Sequence, residues 1–422
     1  MSTDHRIVHR SSDQQDISDK GTQRIPWSLI LVLLGATTIN YLDRLTASIL
    51  APTLRDEFGM SNADYSLVVN SFTAAYLIFY SVGGRIADLI GTRKALVLFM
   101  TWWSFAGSLQ ALTTGTKSLS LVRFLLAVGQ GGAWPAAIKA AAERVPGPLR
   151  SLSVGVTNSG SSIGAMLAPP LIGIMAVLWG WRTACVITGA VGLLWLPFWL
   201  KITKYPATKS NPEPGEKVSW VRVVHFRQAW AVFLGRAIGD PFWTFYIFWL
   251  PEYLSRERSL NLETIAAVGW IPFLISGVAN FVGGGITSWL IRRGWSVHRA
   301  RQTIMWLAAP ASMVGIIATY TDSLAVSLAA ISFAAFFFMI WSVNVINLPS
   351  DWFPPRYVGT VFGFSGTGQG LGSMLIIYLV GEILDTTGNY TLVFGGVGLL
   401  VPLAQLLITL VGGPIRRLQN GV

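Results

Sequence analysis

The sequence predicts an all-α integral membrane protein, with twelve transmembrane helices in two pseudo-symmetric six-helix halves. Three observations predict it. Hydrophobic residues make up 52% of the 422, while Asp, Glu, Lys and Arg make up only 12%, about half the charged share of a soluble domain. Too few charges remain to cover a water-exposed surface of that size. The mean hydropathy is +0.53, and the 43 Gly and 18 Trp suit tightly packed membrane helices with interfacial aromatics. The apolar residues also fall into twelve runs, each near the ~20 residues that cross a hydrocarbon core.

In chain order the runs are 27–50, 62–83, 95–113, 118–142, 151–178, 182–200, 229–251, 264–291, 300–320, 323–348, 357–383 and 390–412. Residues 1–26 are polar and mixed in charge and read as a disordered cytoplasmic tail. The first run is too long for a signal-peptide core and lacks a small-residue cleavage site, so it is expected to stay. Very short turns separate spans three to six and nine to twelve, which makes those helices antiparallel neighbours. The longest polar break, 201–227, carries Lys201, Lys204, Lys209, Pro212, Pro214, Lys217 and Arg222. It reads as a cytoplasmic linker between halves 27–200 and 228–413, with 414–422 a second cytoplasmic tail. Span two is followed by Gly84-Arg85-Ile86-Ala87-Asp88-Leu89-Ile90-Gly91-Thr92-Arg93-Lys94. Span eight is followed, at the matching place, by Gly284-Gly285 and Arg292-Arg293-Gly294. Two repeated six-helix halves are a transporter signature.

The net charge of +11 raises nucleic acid as a partner, but Lys and Arg are spread over short loops rather than one face. Nucleic-acid binding is therefore excluded as a reading. With the N-terminus inside, only Arg55, Lys117, Arg182, Arg256 and Arg258 lie outside, and Arg44, Arg123 and Arg236 lie within spans; the other 23 of the 31 basic residues are cytoplasmic. By the positive-inside rule both termini are cytoplasmic. The lone cysteine, Cys185, forms no internal disulfide.

An ionisable side chain deep in a span is costly and needs a partner or a water-filled cavity. Span one carries Asn40-Tyr41-Leu42-Asp43-Arg44. Tyr41, Arg44 and Ser48 share one helix face, and Asp43 lies about 100° round from Arg44. Span four carries Arg123 and Gln130, two turns apart on one face, with Trp134 a further turn along. One reading has Arg44, Arg123 or both attract an anion, because a guanidinium fork matches a carboxylate, and makes Asp43 a protonatable group. The other is a static Asp43–Arg123 pair between spans one and four. The two are compatible. In span seven Arg236 and Asp240 stand one turn apart and neutralise each other locally. That favours a structural pair over a pathway lining. Asn158, Ser161 and Ser162 in span five, Trp341 and Asn344 in span ten, and Ser365 and Gln369 in span eleven read either as groups for sugar hydroxyls or as close helix packing.

No enzyme motif competes: the chain has no Walker loop, HExxH or nucleophile elbow. All four histidines lie in the tail or in cytoplasmic loops. Neither a metal site nor a cofactor is expected, and energy must come from gradients.

The segment Gly84–Lys94 resembles the signature loop of the major facilitator superfamily. The resemblance implies gating roles for Gly84, Asp88, Arg93 and Lys94; Ser288 stands where the second copy would hold its aspartate. Asn40–Arg44 and Gly129-Gln130-Gly131-Gly132-Ala133-Trp134-Pro135 look like the anion:cation symporter branch. Asn158–Ala165, Asp240-Pro241-Phe242-Trp243 and Trp249-Leu250-Pro251 are similar to bacterial hexuronate transporters. By that resemblance Tyr41, Arg44, Tyr76 and Ser161 contact substrate, Asp43 takes a proton and Arg123 is the basic partner. The branch carries a glutamate where this chain has Gln130, and a carboxamide does not titrate. The expectation is a monomeric proton symporter in the lipid bilayer of an inner membrane, carrying a small anionic carboxylate of the sugar-acid type. A proton-independent facilitator or exchanger, or a non-transporting sensor, stands as the alternative.

Overall fold

A computed structural model describes residues 27–144, 150–204, 220–416 and 418. The expected tail at 1–26, the stretch 205–219 of the expected linker and most of the 414–422 tail lie outside the described residues. So do the side chains of Asp88 and Asn158.

Apolar runs fold as helices, and small polar residues start them. Helix α1 spans Trp27–Ile49, and α2 (Ala51–Phe58) stops at Gly59, whose φ of +61° needs glycine. Ser61 and Asp64 cap each other at the start of α3 (Asn62–Ile90). A single residue, Gly91, separates α3 from α4 (Thr92–Leu109). Helix α5 covers Thr116–Arg144 and α6 covers Arg150–Ile202. The second half comprises α7 (Trp220–Val223), α8 (Arg227–Gly239), α9 (Pro241–Arg256), α10 (Leu262–Val268), α11 (Ile271–Arg292), α12 (Val297–Ala311), α13 (Leu324–Trp352), α14 (Pro355–Thr387) and α15 (Tyr390–Gly412).

Ten helical segments among the described residues are long and apolar enough to cross a membrane. One, Gly155–Ile202, has 48 residues, ~72 Å of helix at 1.5 Å per residue, and breaks at Gly180 (φ 81°), so it crosses twice. Helices α8 and α9 are each too short but are consecutive and supply another crossing. The count reaches twelve.

Two details depart from expectation. The seventh span is not one helix: it breaks at Asp240-Pro241, because Pro241 has no N–H for the Ala237 carbonyl. Helix α14 closes over that carbonyl with Gly372, where a Cβ would come within 1.8 Å of it. The Gly84–Ile90 segment is not a loop but the last two turns of α3. Gly83 lets α3 lie on α5: a Cβ there would sit 2.1 Å from Gly132 Cα.

The halves meet unevenly. At the end opposite Trp27 and Gly412, Ser48 donates to Ile247 O (2.5 Å), Tyr65 to Phe248 O (2.7 Å), Ser66 to Ile377 O (2.8 Å) and Asn70 to Met374 O (3.1 Å). Asp385 accepts from the N–H groups of Asn62 and Ala63. Arg55 pairs with Glu252, and Arg256 bridges Glu252 and Asp56. These contacts make a polar seam between the halves. Toward the terminal end Arg93 bonds to Leu200 and Arg301 pairs with Asp351, each inside its own half. Among the described residues, the hydrogen bonds and ion pairs that cross between the halves gather at the end opposite Trp27 and Gly412.

Candidate functional site

Helices α1, α3, α4, α5 and α6 bring the predicted polar residues of the first half together. Gly160 and Gly164 seat α6 on α1: a Cβ at either would meet Thr37 Oγ1 at 2.1 Å or Thr38 O at 2.5 Å. Thr37 also donates to Thr157 O (2.5 Å). That close approach fixes the height of the Asn40–Arg44 turn.

Arg44 is half-buried inside an aromatic cage. Its guanidinium carbon lies 4.3 Å from the Tyr76 ring centre, 4.7 Å from Tyr41 and 5.4 Å from Phe72, each contact attractive through the ring quadrupole. Nη2 donates to Asn40 Oδ1 (3.3 Å), and no acidic side chain among the described residues pairs with it. Arg123 lies deeper, 1% exposed. Its guanidinium carbon stands 4.5 Å from the Phe72 ring centre. It donates to the Arg44 carbonyl (3.2 Å), while its Nε and Nη1 are unfilled. Phe72 thus carries two guanidiniums, and sequence reasoning missed it; its place one helical turn before Tyr76 was the available signal.

Asp43 is 1% exposed, with Trp103 and Thr188 as the donors beside its carboxyl, neither at full hydrogen-bond geometry. No bond joins it to Arg123, so the static-pair arrangement is not the one present. Cys185 and Arg123 complete the surroundings of its carboxyl. Gln130, fully buried, donates to Asn40 O (3.2 Å) and leaves Oε1 without a partner. Buried polar groups are nearly always satisfied. Asp43, Arg44, Arg123 and Gln130 thus bring two cations, one carboxyl and one carboxamide to neighbouring turns of α1 and α5.

The second half is different. Arg236 donates to Asp240 Oδ2 (3.0 Å), to Ser365 Oγ (3.1 Å) and to Gln369 Oε1, with its guanidinium 4.9 Å from the Phe362 ring centre. Trp341 is 0% exposed and donates to Gln405 (3.1 Å). Asn344 accepts from Thr287 (2.9 Å) and from Arg301 (3.1 Å). The structure does not bring Trp341 or Asn344 to Arg44; both are spent on bonds inside their own half. Ser162 does face the other half, 3.8 Å from where a Cβ on Gly277 would stand, and Ser161 neighbours it in α6.

The expected gating residues sit at the terminal end. Gly84 packs toward Pro135; Arg93 Nη2 donates to Leu200 O (3.5 Å) and Lys94 is exposed. Lys139 donates to Ala87 O (3.3 Å), and Glu143 accepts from Thr92 (2.8 Å). In the second half Arg301 of α12 forks onto Asp351 of α13. Among the described residues no three His, Cys, Asp or Glu side chains gather to hold a metal ion.

Residues 33–377 match the sequence profile of the Major Facilitator Superfamily. The chain is 29% identical over 383 residues to a hexuronate transporter of Escherichia coli, covering 86% of this chain and 88% of that one. It is 29% identical over 397 residues to a hexuronate transporter of Bacillus subtilis (90% and 93% covered). It is 27% identical over 393 residues to a D-galactonate transporter of Escherichia coli (85% and 90% covered). Among solved structures, a bacterial homologue of the human lysosomal transporter Spinster, inward-facing and occupied, superposes with a TM-score of 0.72 at 18% identity, covering 93% of this chain and 96% of that one. The D-xylose–proton symporter gives 0.73 at 16% identity, covering 91% and 97%. These two are likenesses of fold.

Proposed function

Because this chain belongs to the major facilitator superfamily, we propose that it carries a sugar acid of the hexuronate or aldonate type across an inner membrane by alternating access, in symport with protons. One observation carries the reading: Arg44, partly exposed and held by three rings, is paired with no carboxylate among the described residues, while Asp43, the next residue in sequence, is buried. A carboxylate supplies the two parallel acceptors that its guanidinium fork lacks. The relatives' names supply the sugar acid.

In this reading both termini are cytoplasmic, the terminal end faces the cytoplasm and the bonded seam closes the outside. Tyr41 and Tyr76 flank the substrate, with Ser161, Ser162 and Gln369 as candidate hydroxyl readers. Arg123 backs the site from behind Phe72 and keeps the local charge positive. Asp43 takes a proton in one state and releases it in the other. Gly84, Asp88, Arg93 and Lys94 belong to the inner gate, and the carrier works as a monomer.

The second reading, an exchanger or facilitator without proton coupling, rests on Gln130, whose carboxamide holds the Asn40 carbonyl and has no proton to trade. Proteoliposomes separate them. Galacturonate should accumulate against its gradient when an inward proton gradient is imposed, and Asp43→Asn should abolish accumulation while leaving counterflow. Counterflow in the parent without accumulation would establish the reading without proton coupling, and accumulation that survives Asp43→Asn would remove Asp43 from the proton path.

A further inference from the structure

Helix α9 carries Pro251 in its interior. Proline has no N–H, so the carbonyl four residues earlier, on Ile247, has no donor within its own helix. In a membrane-embedded bundle such a carbonyl must be filled from elsewhere in the protein. The other half fills it: Ser48 Oγ donates to Ile247 O at 2.5 Å. The next carbonyl, of Phe248, accepts from the Tyr65 hydroxyl at 2.7 Å, and the Tyr65 ring stands edge-on to Trp249 (5.2 Å, 87°). Ser48 is 1% exposed and Tyr65 2%. These contacts are sealed inside the seam.

Ser48 is also one helical turn beyond Arg44 on the same stretch of α1, so the two side chains share a face. A rigid turn of helix therefore links the cation to the seam. We propose that Ser48 is a positioning residue: by donating to the carbonyl that Pro251 leaves free, it fastens α1 to the other half, so that closing this end and setting Arg44 are one event. The closing part stands on the geometry of the seam alone; the link to Arg44 rests on the anion-site reading above. Opening this end strips the carbonyl of its donor, and no helical N–H is there to replace it.

The test uses the chain's own chemistry. Its one cysteine, Cys185, is 2% exposed, so a second, introduced in the seam, reports its opening. Ser66, 1% exposed and bonded across the halves to Ile377 O, is the site: Ser66→Cys, in purified detergent-solubilised protein, reacts with a maleimide only when the seam parts. Adding Ser48→Ala should speed labelling about fivefold, the worth of one net hydrogen bond. Ser48→Thr, which keeps the hydroxyl, should label nearly as slowly as the parent. Pro251→Ala gives Ile247 O a helical donor. Alone it should also speed labelling, and in its background Ser48→Ala should add less than about twofold, because the acceptor is already filled. Unaccelerated labelling in Ser48→Ala overturns the proposal, as does a fivefold effect that persists undiminished with Pro251→Ala. If Ser48→Ala does not fold, Pro251→Ala alone decides: labelling no faster than the parent overturns the latch. Galacturonate affinity tests the link to Arg44: it should weaken in Ser48→Ala and return in Ser48→Thr. An unchanged affinity overturns that link. Absence of galacturonate binding in the parent counts against the anion reading, and the labelling arm still decides the latch.

Discussion

Arg44 in the first half and Arg236 in the second are the same residue in comparable trouble, a cation inside a membrane helix, and the structure resolves them in opposite ways. Arg236 has a carboxylate one turn away, a hydroxyl and a carboxamide from α14 and a ring beneath it. Every one of these partners belongs to its own half. Arg44 has three rings, a carboxamide oxygen and the Tyr76 hydroxyl, and the carboxyl next to it in sequence, Asp43, lies among Trp103, Thr188, Cys185 and Arg123. A cation paired with a carboxylate of its own domain is suited to be a strut, while one with no carboxylate beside it is suited to an anion. The difference cannot be read from residue type or depth in the span. It lies in the partners.

The largest effect should come from breaking the strut. Arg236→Ala leaves Asp240, only 5% exposed, as a buried charge without a partner, a loss of roughly 3–5 kcal/mol in such pairs. Arg236→Met with Asp240→Leu removes both charges and should melt close to the parent. Melting curves of the three proteins decide it, and an equal loss in the single and double variants would refute the strut.

Arg44→Ala should do the reverse. It removes a cation with no ionic partner, so the melting temperature should move little, while galacturonate affinity falls about thirtyfold or more, the scale of truncating one side of a buried charged contact (roughly 2–5 kcal/mol). Arg44→Lys keeps the charge without the fork and should recover only part of the affinity. Calorimetry checks both. If Arg236→Ala costs as much affinity as Arg44→Ala, the two halves share the binding and the contrast between strut and open cation fails.

A smaller effect is expected at Gln130. As a neutral carboxylic acid, Gln130→Glu can still donate to the Asn40 carbonyl that Gln130 now holds, and it adds a group that titrates. If this position lies on the proton path, one more proton moves per cycle, and a gradient of one pH unit raises steady-state galacturonate accumulation by up to about tenfold. Accumulation equal to the parent's would place Gln130 off that path.

Much of this contrast is legible in the chain itself, and the remainder illustrates what linear sequence conceals. Apolar runs of the right length name the spans, and Arg236 with Asp240 declares itself because i and i+4 are neighbours on any helix. The cage around Arg44 joins a side chain of α1 to rings of α3, a helix that packs on α5 and α14 rather than on α1, so Tyr76 came only from resemblance and Phe72 not at all. Trp341 and Asn344 looked available because polar residues in a span draw attention; their partners, Gln405 and Arg301, lie 64 and 43 residues away, and no local pattern announces them. The break at Pro241 was visible in principle, since a proline inside a span always frees a carbonyl. What was not visible is that Gly372 covers that carbonyl and Ser48 answers the one at Pro251.

The smallest expected effect tests whether pairing alone, away from the membrane interior, carries any weight. Glu57 in α2 lies outside the spans and is exposed. It accepts from Trp181 Nε1 (2.5 Å) and pairs with Arg182 (2.8 Å). The Trp181 N–H and, next, Arg182 favour its ionised form, and slight burial opposes them, so its carboxyl titrates below the ordinary range. A carboxyl lowered on folding stabilises the fold above its unfolded pKa, and that contribution disappears as the pH falls through the folded value. The advantage of the parent over Glu57→Gln should therefore be present at pH 7, persist at pH 5 and fade below about pH 4. It should also be small, within the ~0–1 kcal/mol of exposed ion pairs, and shrink in high salt. Melting temperatures across that pH range measure it. A loss on the scale of Arg236→Ala would mean that an exposed pair holds this fold as firmly as a buried one, and burial would no longer separate the strut from the surface.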